Sequence, residues 1–177
     1  MVTGLFIFII PLSLFSQTSQ ALKPASMVNT TIQFKARYIF NFTKYIEWPA
    51  NLRKGNFVIG VIGSPDLFRE LIKISETKQI GNQPLEVKTF SSVESITYCH
   101  ILYVVTDKVD IITAIQNKIN SENTLLITDR EGMIKLGAGI NFVVINNKLE
   151  FELNRTGIQK VGLSVGSGLA LLAVTVL

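Results

Sequence analysis

The chain carries one cysteine and one histidine, and they are adjacent, Cys99-His100. Both side chain types ligate metals and support nucleophilic chemistry, so the pair is the first place to look for a site. Its setting argues against one. Cys99 to Val105 (CHILYVV) reads as a buried strand, and neighbours on a strand point to opposite faces of the sheet. One site could not take both side chains, and a single histidine excludes a multi-histidine metal centre. Without a second cysteine there is no intrachain disulfide.

The other polar groups with a pattern follow apolar runs. Ser64 and Asp66 follow Phe57–Ile62, Thr106 and Asp107 follow Cys99–Val105, and Asp129 and Arg130 follow Asn123–Thr128. If the runs are parallel strands, these residues gather outside the carboxyl ends, where ligands of open α/β sheets bind. Helix N-termini at that end would suit an anion. Ser64, Asp66, Asp107, Asp129 and Arg130 are therefore the candidate lining of a ligand crevice. Each also has a local reason to be there, Ser64 and Asp107 as helix caps and Asp129 as a turn residue. No serine–histidine–acid set, Walker-type loop or dinucleotide fingerprint accompanies them. Gly137-Ala138-Gly139 is too short for a phosphate loop and reads as the entry turn of a hairpin. The sequence assigns no catalytic residue, no cofactor and no metal site. Tyr45 and Trp48 are candidate contacts for a protein partner, since aromatic side chains dominate interface hot spots. The competing reading makes Trp48 a plug of the core.

Holding these groups in place takes a layered domain. Ile32, Ala36, Ile39, Phe40, Thr43 and Ile46 recur in steps of three and four, the spacing of one helix face. Lys35, Arg37 and Lys44 lie off that stripe. The residue before a proline leaves the helical region, so Trp48-Pro49 should stop the helix near Glu47. Asn29, Thr30 or Thr31 could cap its start. Phe57–Ile62 is a continuous apolar run, as in strands buried on both faces of a parallel sheet. Ser64-Pro65 opens a helix that turns Leu67, Phe68, Leu71, Ile72 and Ser75 inward. Pro84–Phe90 alternates like an edge strand. Lys108–Ile119 is a helix with Val109, Ile112, Ile115 and Ile119 on one side, and Asn123–Thr128 is a strand. Ala138–Ile145 and Lys148–Leu153 flank Asn146-Asn147, a two-residue hairpin turn, because asparagine tolerates positive φ. Asn154 then caps a closing helix from Arg155 to near Val176. Strands alternating with helices predict an α/β domain. Its mainly parallel sheet has five or six strands and helices on both faces, the opening and closing helices sharing one.

The 177 residues suit a single domain. The net charge of +4 comes with no Lys/Arg block, too diffuse an excess to indicate nucleic acid. Met1 to Leu22 has no charged side chain, Leu5–Phe15 is apolar, and Ser19-Gln20-Ala21 is a small-x-small pattern. Residues 1–21 therefore read as a secretory signal peptide lacking the usual basic start, 22–31 as a lead, and 32–177 as the domain. The leader's apolar run is shorter than the roughly 20 residues of a spanning helix, and Pro11 interrupts it. Val161–Leu177 is also uncharged and nears spanning length. Its glycines, serines and threonine lower its hydrophobicity, and no basic stop signal follows. It reads as a core helix, apolar all round. Gly162, Gly166 and Gly168 would allow close packing. Part of its face serving as a dimer or partner surface is the alternative.

Four stretches carry a family resemblance: KARYIFNFTKYIEWP, CHILYV, LLITDREGMIKLGAGINFVVINNKLEFELN and GLSVGSGLALLAV. In this order and spacing, over Ile32 to Val176, the chain resembles the YfiR-like family of periplasmic regulatory proteins (YfiR/HmsC-like). The resemblance implies a non-enzymatic periplasmic protein without cofactors. Its best-known members bind the periplasmic sensor region of a membrane-anchored diguanylate cyclase and repress it, which lowers cyclic di-GMP and restrains biofilm formation. The expected partner is thus such a sensor region, with no nucleic acid and no membrane insertion after signal cleavage; a homodimer is the further option that the apolar C-terminal face leaves open. The alternative is a periplasmic small-molecule-binding module acting with a membrane histidine kinase. Some members form redox-sensitive disulfides. Cys99 stands at the central family cysteine with no partner here, which puts that property in doubt.

Overall fold

A computed structural model describes residues 25–120 and 122–177, with side chains from residue 30 onward. The expected signal peptide and its cleavage site lie outside the described residues. The first helix, α1, spans Ala25–Phe42, so it both starts and stops earlier than its apolar spacing predicts. Asn29, Thr30 and Thr31 lie inside it rather than at its start. No glycine or proline interrupts 25–42. The stop is set before Pro49 is reached. Thr43 Oγ1 donates to the Phe40 carbonyl (2.7 Å), and the Lys44 and Tyr45 amides close a tight turn. Ile46–Glu47 (β1) then leaves as a strand that pairs antiparallel with Ser164–Val165 (β9). Ala36, Ile39 and Ile46 are buried, as the spacing requires, although Ile46 arrives from the strand; Phe42, outside that stripe, is buried too, and Ile32, Phe40 and Thr43 are only partly buried.

The remaining elements are β2 (Phe57–Ile62), α2 (Pro65–Ser75), β3 (Gln79–Ile80), β4 (Gln83–Thr89), β5 (Ile101–Val104), α3 (Val109–Ile119) and β6 (Leu125–Thr128). After them come β7 (Ile140–Ile145), β8 (Lys148–Leu153), α4 (Arg155–Lys160), α5 (Ser167–Leu172) and β10 (Thr175–Val176). The main sheet runs β10-β8-β7-β6-β5-β2-β4-β3. It has eight strands rather than five or six because the two-residue strands β3 and β10 extend its edges. Pairings from β4 through β2, β5 and β6 to β7 are parallel, and the hairpin β7–β8 is antiparallel. Asn146 and Asn147 take φ of 49° and 61°, as the two-residue turn demands.

One apolar cluster joins Ala36, Ile39 and Phe42 of α1 and Leu67 and Leu71 of α2 to one sheet face, with Ile158, Leu163 and Leu169 from the C-terminal segment. The other gathers Ile112, Ile115 and Ile119 of α3 with Cys99, Leu102 and Leu126 on the opposite face. Helices thus cover both faces, and the two ends of the domain share one.

The closing segment is not one helix. It is α4, β9, α5 and β10 in succession. Asn154 does cap α4, its Oδ1 accepting from the Gly157 amide at 2.7 Å. Gly162 then takes φ +77°, the left-handed geometry that ends helices. The Gly166 amide donates to the Tyr45 carbonyl at 2.7 Å, which locks β9 beside β1. An uncharged run conceals these breaks, since burial and periodicity alone do not separate helix from strand. At α3 the expected cap fails. The helix starts after Lys108, and Thr106 Oγ1 rather than Asp107 accepts from the Lys108 amide (3.2 Å).

Candidate functional site

β5 and β6 lie side by side in parallel, Tyr103 opposite Ile127 and Val104 opposite Thr128. That register brings Asp129, just past the end of β6, beside Tyr103. Tyr103 Oη donates to Asp129 Oδ2 at 2.7 Å. From above the sheet, Lys35 Nζ of α1 reaches the same oxygen at 2.6 Å. The two charged side chains are only 12% and 11% exposed. Burial raises the Tyr103 phenol well above its ordinary range, and the Asp129 charge and hydrogen bond add to the shift. The phenol therefore stays protonated and serves as a donor. Asp129 Oδ1 is buried with no hydrogen-bond partner among the described residues.

Beside this triad a cavity of about 530 Å³ is lined by Lys35, Asp129, Glu131, Phe142, Leu149, Glu152 and Val174, with the hairpin residues 143–145 and Thr175. Glu152 is held from below. Thr128 Oγ1 donates to Asn141 Oδ1, and Asn141 Nδ2 donates to Glu152 Oε2, both at 2.8 Å. Around the cavity rim the surface turns apolar. Val144 and Ile145 of the hairpin are 55% and 44% exposed, and Leu171 and Leu172 at the end of α5 are 87% and 55% exposed. Val174, Val176 and Leu177 continue the strip along the sheet edge. α5 explains why: Leu169 points into the core and Ala170 packs against it, which leaves Leu171 and Leu172 on the outer side.

The crevice residues are only partly brought together. Ser64, Asp107 and Asp129 stand past the ends of β2, β5 and β6, which are adjacent strands. The chain reverses its progress across the sheet between β2 and β5, so the switch point lies there. Ser64 occupies the N-cap position of α2 without a side-chain cap bond. Asp66 pairs with Arg69, Asp107 and Arg130 are exposed, and Asp129 turns away toward Lys35. No hydrogen bond or ion pair joins one of the five to another among the described residues. The cavity that Asp129 lines contains none of the other four. Lys35 and Tyr103 escaped the sequence reading. Lys35 lies off the apolar stripe of its helix, and Tyr103 lies within an apolar run. The signal was nonetheless present, since Lys35 and Asp129 sit in two of the quoted family stretches.

Cys99 and His100 do face opposite sides. Cys99 is fully buried in the α3-side cluster, and burial pushes its thiol up to about 12. His100 stacks on Phe57 at 4.3 Å on the other side. Its Nδ1 accepts from the Val58 amide, and its Nε2 meets the Leu52 carbonyl, each at 3.0 Å. Trp48 is 5% exposed. It stands edge-on to Phe57 at 4.9 Å and donates from Nε1 to the Asn123 carbonyl at 3.0 Å. At that corner Tyr45, half-buried, is the aromatic nearer the surface. Among the described residues no set of three or more His, Cys, Asp or Glu could hold a metal ion. No helix among them is long and apolar enough to cross a membrane. Nothing in the arrangement couples a nucleophile to a base. It offers an anchored carboxylate, a cavity and an apolar rim.

Comparison with known proteins agrees with this architecture. The family model described as YfiR/HmsC-like matches residues 32–174. No curated protein matches the chain. Among solved structures, a conserved domain protein from Vibrio cholerae superposes with a TM-score of 0.57 at 14% identity. An ABC domain in complex with L-Trp from Streptococcus pneumonia superposes with 0.53, also at 14% identity. Each match covers 82% of this chain and 60% of the other, so the chain spans less than two thirds of either. At that identity they establish the α/β fold and nothing about ligands.

Proposed function

The chain belongs to the YfiR/HmsC-like family, and from that premise we propose that it is a periplasmic regulator that binds the external sensor region of an inner-membrane signalling protein. The signalling protein is of the diguanylate cyclase type, and binding holds it inactive. The family is regulatory rather than enzymatic and acts with a membrane signalling partner. The observation on this chain that carries the reading is the uncovered apolar rim. Val144, Ile145 and Val174 line one cavity, and Leu172 and Leu171, the latter 87% exposed, lead the chain into Val174, so these side chains leave apolar surface that water solvates poorly. Contiguous exposed apolar patches of this kind mark protein contacts. The strip carries no charge from Val161 to Leu177, which suits an interface core, where charged residues are depleted. Tyr45 packs under the same segment, against Gly168, and is the aromatic that would border the contact. Binding must favour the inactive state of the partner, since equal affinity for both states shifts nothing.

The test is genetic. Deleting the gene should raise cyclic di-GMP and surface adhesion, and restoring it should reverse both. Unchanged cyclic di-GMP in the deletion strain would rule out repression of a cyclase.

A further inference from the structure

We propose that His100 is an acid-sensitive latch: on taking up a proton its ring lets go of β2, and the corner formed by Trp48 and residues 50–55 opens. The hydrogen bonds around the ring require it to be neutral. The Val58 amide can only donate, so Nδ1, 3.0 Å away, is the unprotonated nitrogen. The ring proton therefore lies on Nε2 and is donated to the Leu52 carbonyl, also at 3.0 Å. In this state His100 ties the start of β2 to the short 3-10 turn Ala50–Leu52 that precedes it. A second proton makes both ring nitrogens donors. Nδ1–H then faces Val58 N–H, and a buried backbone donor loses its acceptor, which is costly. The bond to Leu52 survives and becomes charge-assisted. The ring thus stays with the turn and parts from the strand.

The surroundings supply no carboxylate to hold the charged ring in place. Phe57 stacks on it, Trp48 stands edge-on at 6.1 Å and Tyr98 at 5.1 Å. Burial pushes the Tyr98 phenol up to about 12, so it is neutral throughout. Glu122, whose charge reaches Tyr98, is exposed. In the turn, Arg53 lies 3.6 Å from Glu47 and donates to the Trp48 carbonyl, and Lys54 is exposed. On β4, Glu86 is paired with Lys88. Cys99 faces the other side of the sheet. One further tie holds the turn, and it does not titrate: Gln83 Nε2 donates to the Leu52 and Lys54 carbonyls at 3.1 and 3.3 Å. The latch is read on the isolated chain and does not depend on the signalling partner.

The chain has one histidine and one tryptophan, so Trp48 emission reports on this corner alone. Emission, acrylamide quenching and amide exchange are followed on the purified protein from about pH 8 to about pH 5, across the ordinary histidine range. Opening takes up one proton, so its equilibrium constant should rise by up to about tenfold per pH unit below about 6.5. Trp48 emission should shift to the red and become more open to acrylamide while the far-ultraviolet circular dichroism stays native. The Val58 and Leu52 amides should exchange ahead of Leu102 and Ile127 in the sheet centre, since local opening costs less than unfolding. His100→Gln, a neutral amide, should abolish the pH response. Gln83→Met loosens the turn and should move the midpoint up toward that of a free histidine. Dimmer emission with unchanged wavelength and acrylamide access would mean titration without opening and overturns the proposal. A wild-type response in His100→Gln, an unmoved midpoint in Gln83→Met, or Val58 and Leu52 exchanging only with the sheet centre does the same. The exchange measurement needs no variant, so the proposal stays testable if a substituted chain fails to fold.

Discussion

Replacing Lys35 with methionine tests the bond that ties the opening helix to the sheet. The side chain keeps most of its apolar stem and loses only the ammonium. In the native protein that ammonium sits 2.6 Å from Asp129 Oδ2, with both groups nearly nine-tenths buried. Removing one partner of a buried pair leaves an uncompensated charge and costs about 3–5 kcal/mol. Tyr103 still donates to the same oxygen at 2.7 Å and the pair is not wholly dry, so the low end, about 3 kcal/mol, is expected. For a domain of this size each kcal/mol moves the melting temperature by about 2–4 °C, so Lys35→Met should melt about 6–12 °C lower. Urea denaturation should give the same loss at unchanged slope, since the surface exposed on unfolding is the same. Lys35→Met with Asp129→Leu should recover part of it, because removing both charges removes the unpaired one. What remains is the Tyr103 hydroxyl without its acceptor. If Lys35→Met costs less than about 0.5 kcal/mol, the pair behaves as an exposed surface bridge and the reasoning fails.

Further consequences follow from the other buried groups. Burial lowers the folded-state pKa of His100, partly offset by its bond to Leu52. The unfolded chain therefore takes up the proton first. The contribution is complete above the ordinary histidine value of about 6.5 and is lost as pH falls below it. Wild-type stability should decline as pH falls below about 6.5, and His100→Gln should flatten that part of the profile. Cys99, with its thiol raised to about 12 by burial, should resist thiol reagents in the native state and react only as the protein unfolds. Rapid native labelling would contradict its burial. Gly63 holds φ +76°, and a Cβ there would lie 2.9 Å from the Val105 carbonyl. Gly63→Ala should cost about 1–3 kcal/mol in urea denaturation.

The strand core was legible because each buried strand is a short apolar run closed by turn residues. Phe57–Ile62 matches its predicted bounds, and the Asn146-Asn147 hairpin carries its turn chemistry in two residues. The failures are equally local. The closing segment lacks charge throughout, so its pattern cannot show that Gly162 and Gly166 divide it. α1 ends through a turn bonded to a strand far along the chain, a cause invisible in its own spacing. Ile46 kept the right burial for the wrong reason. In the site, Asp129 was found from its place after a strand. Its partner Lys35 lies 94 residues away, off the apolar stripe of its helix, so no local pattern links the two. The exposed leucines of α5 were also hidden, because in a continuous core helix they would have been buried.

The most direct test of the regulator reading uses that surface. Leu171 is 87% exposed and Val144 55% exposed, so Leu171→Asp with Val144→Asp should fold and melt like wild type. In cells lacking the native gene, cyclic di-GMP is measured after restoring either wild type or this variant at equal level. Wild type should return cyclic di-GMP to its repressed value, and the variant should leave it at the level of the deletion. A folded variant that represses as well as wild type would contradict the account.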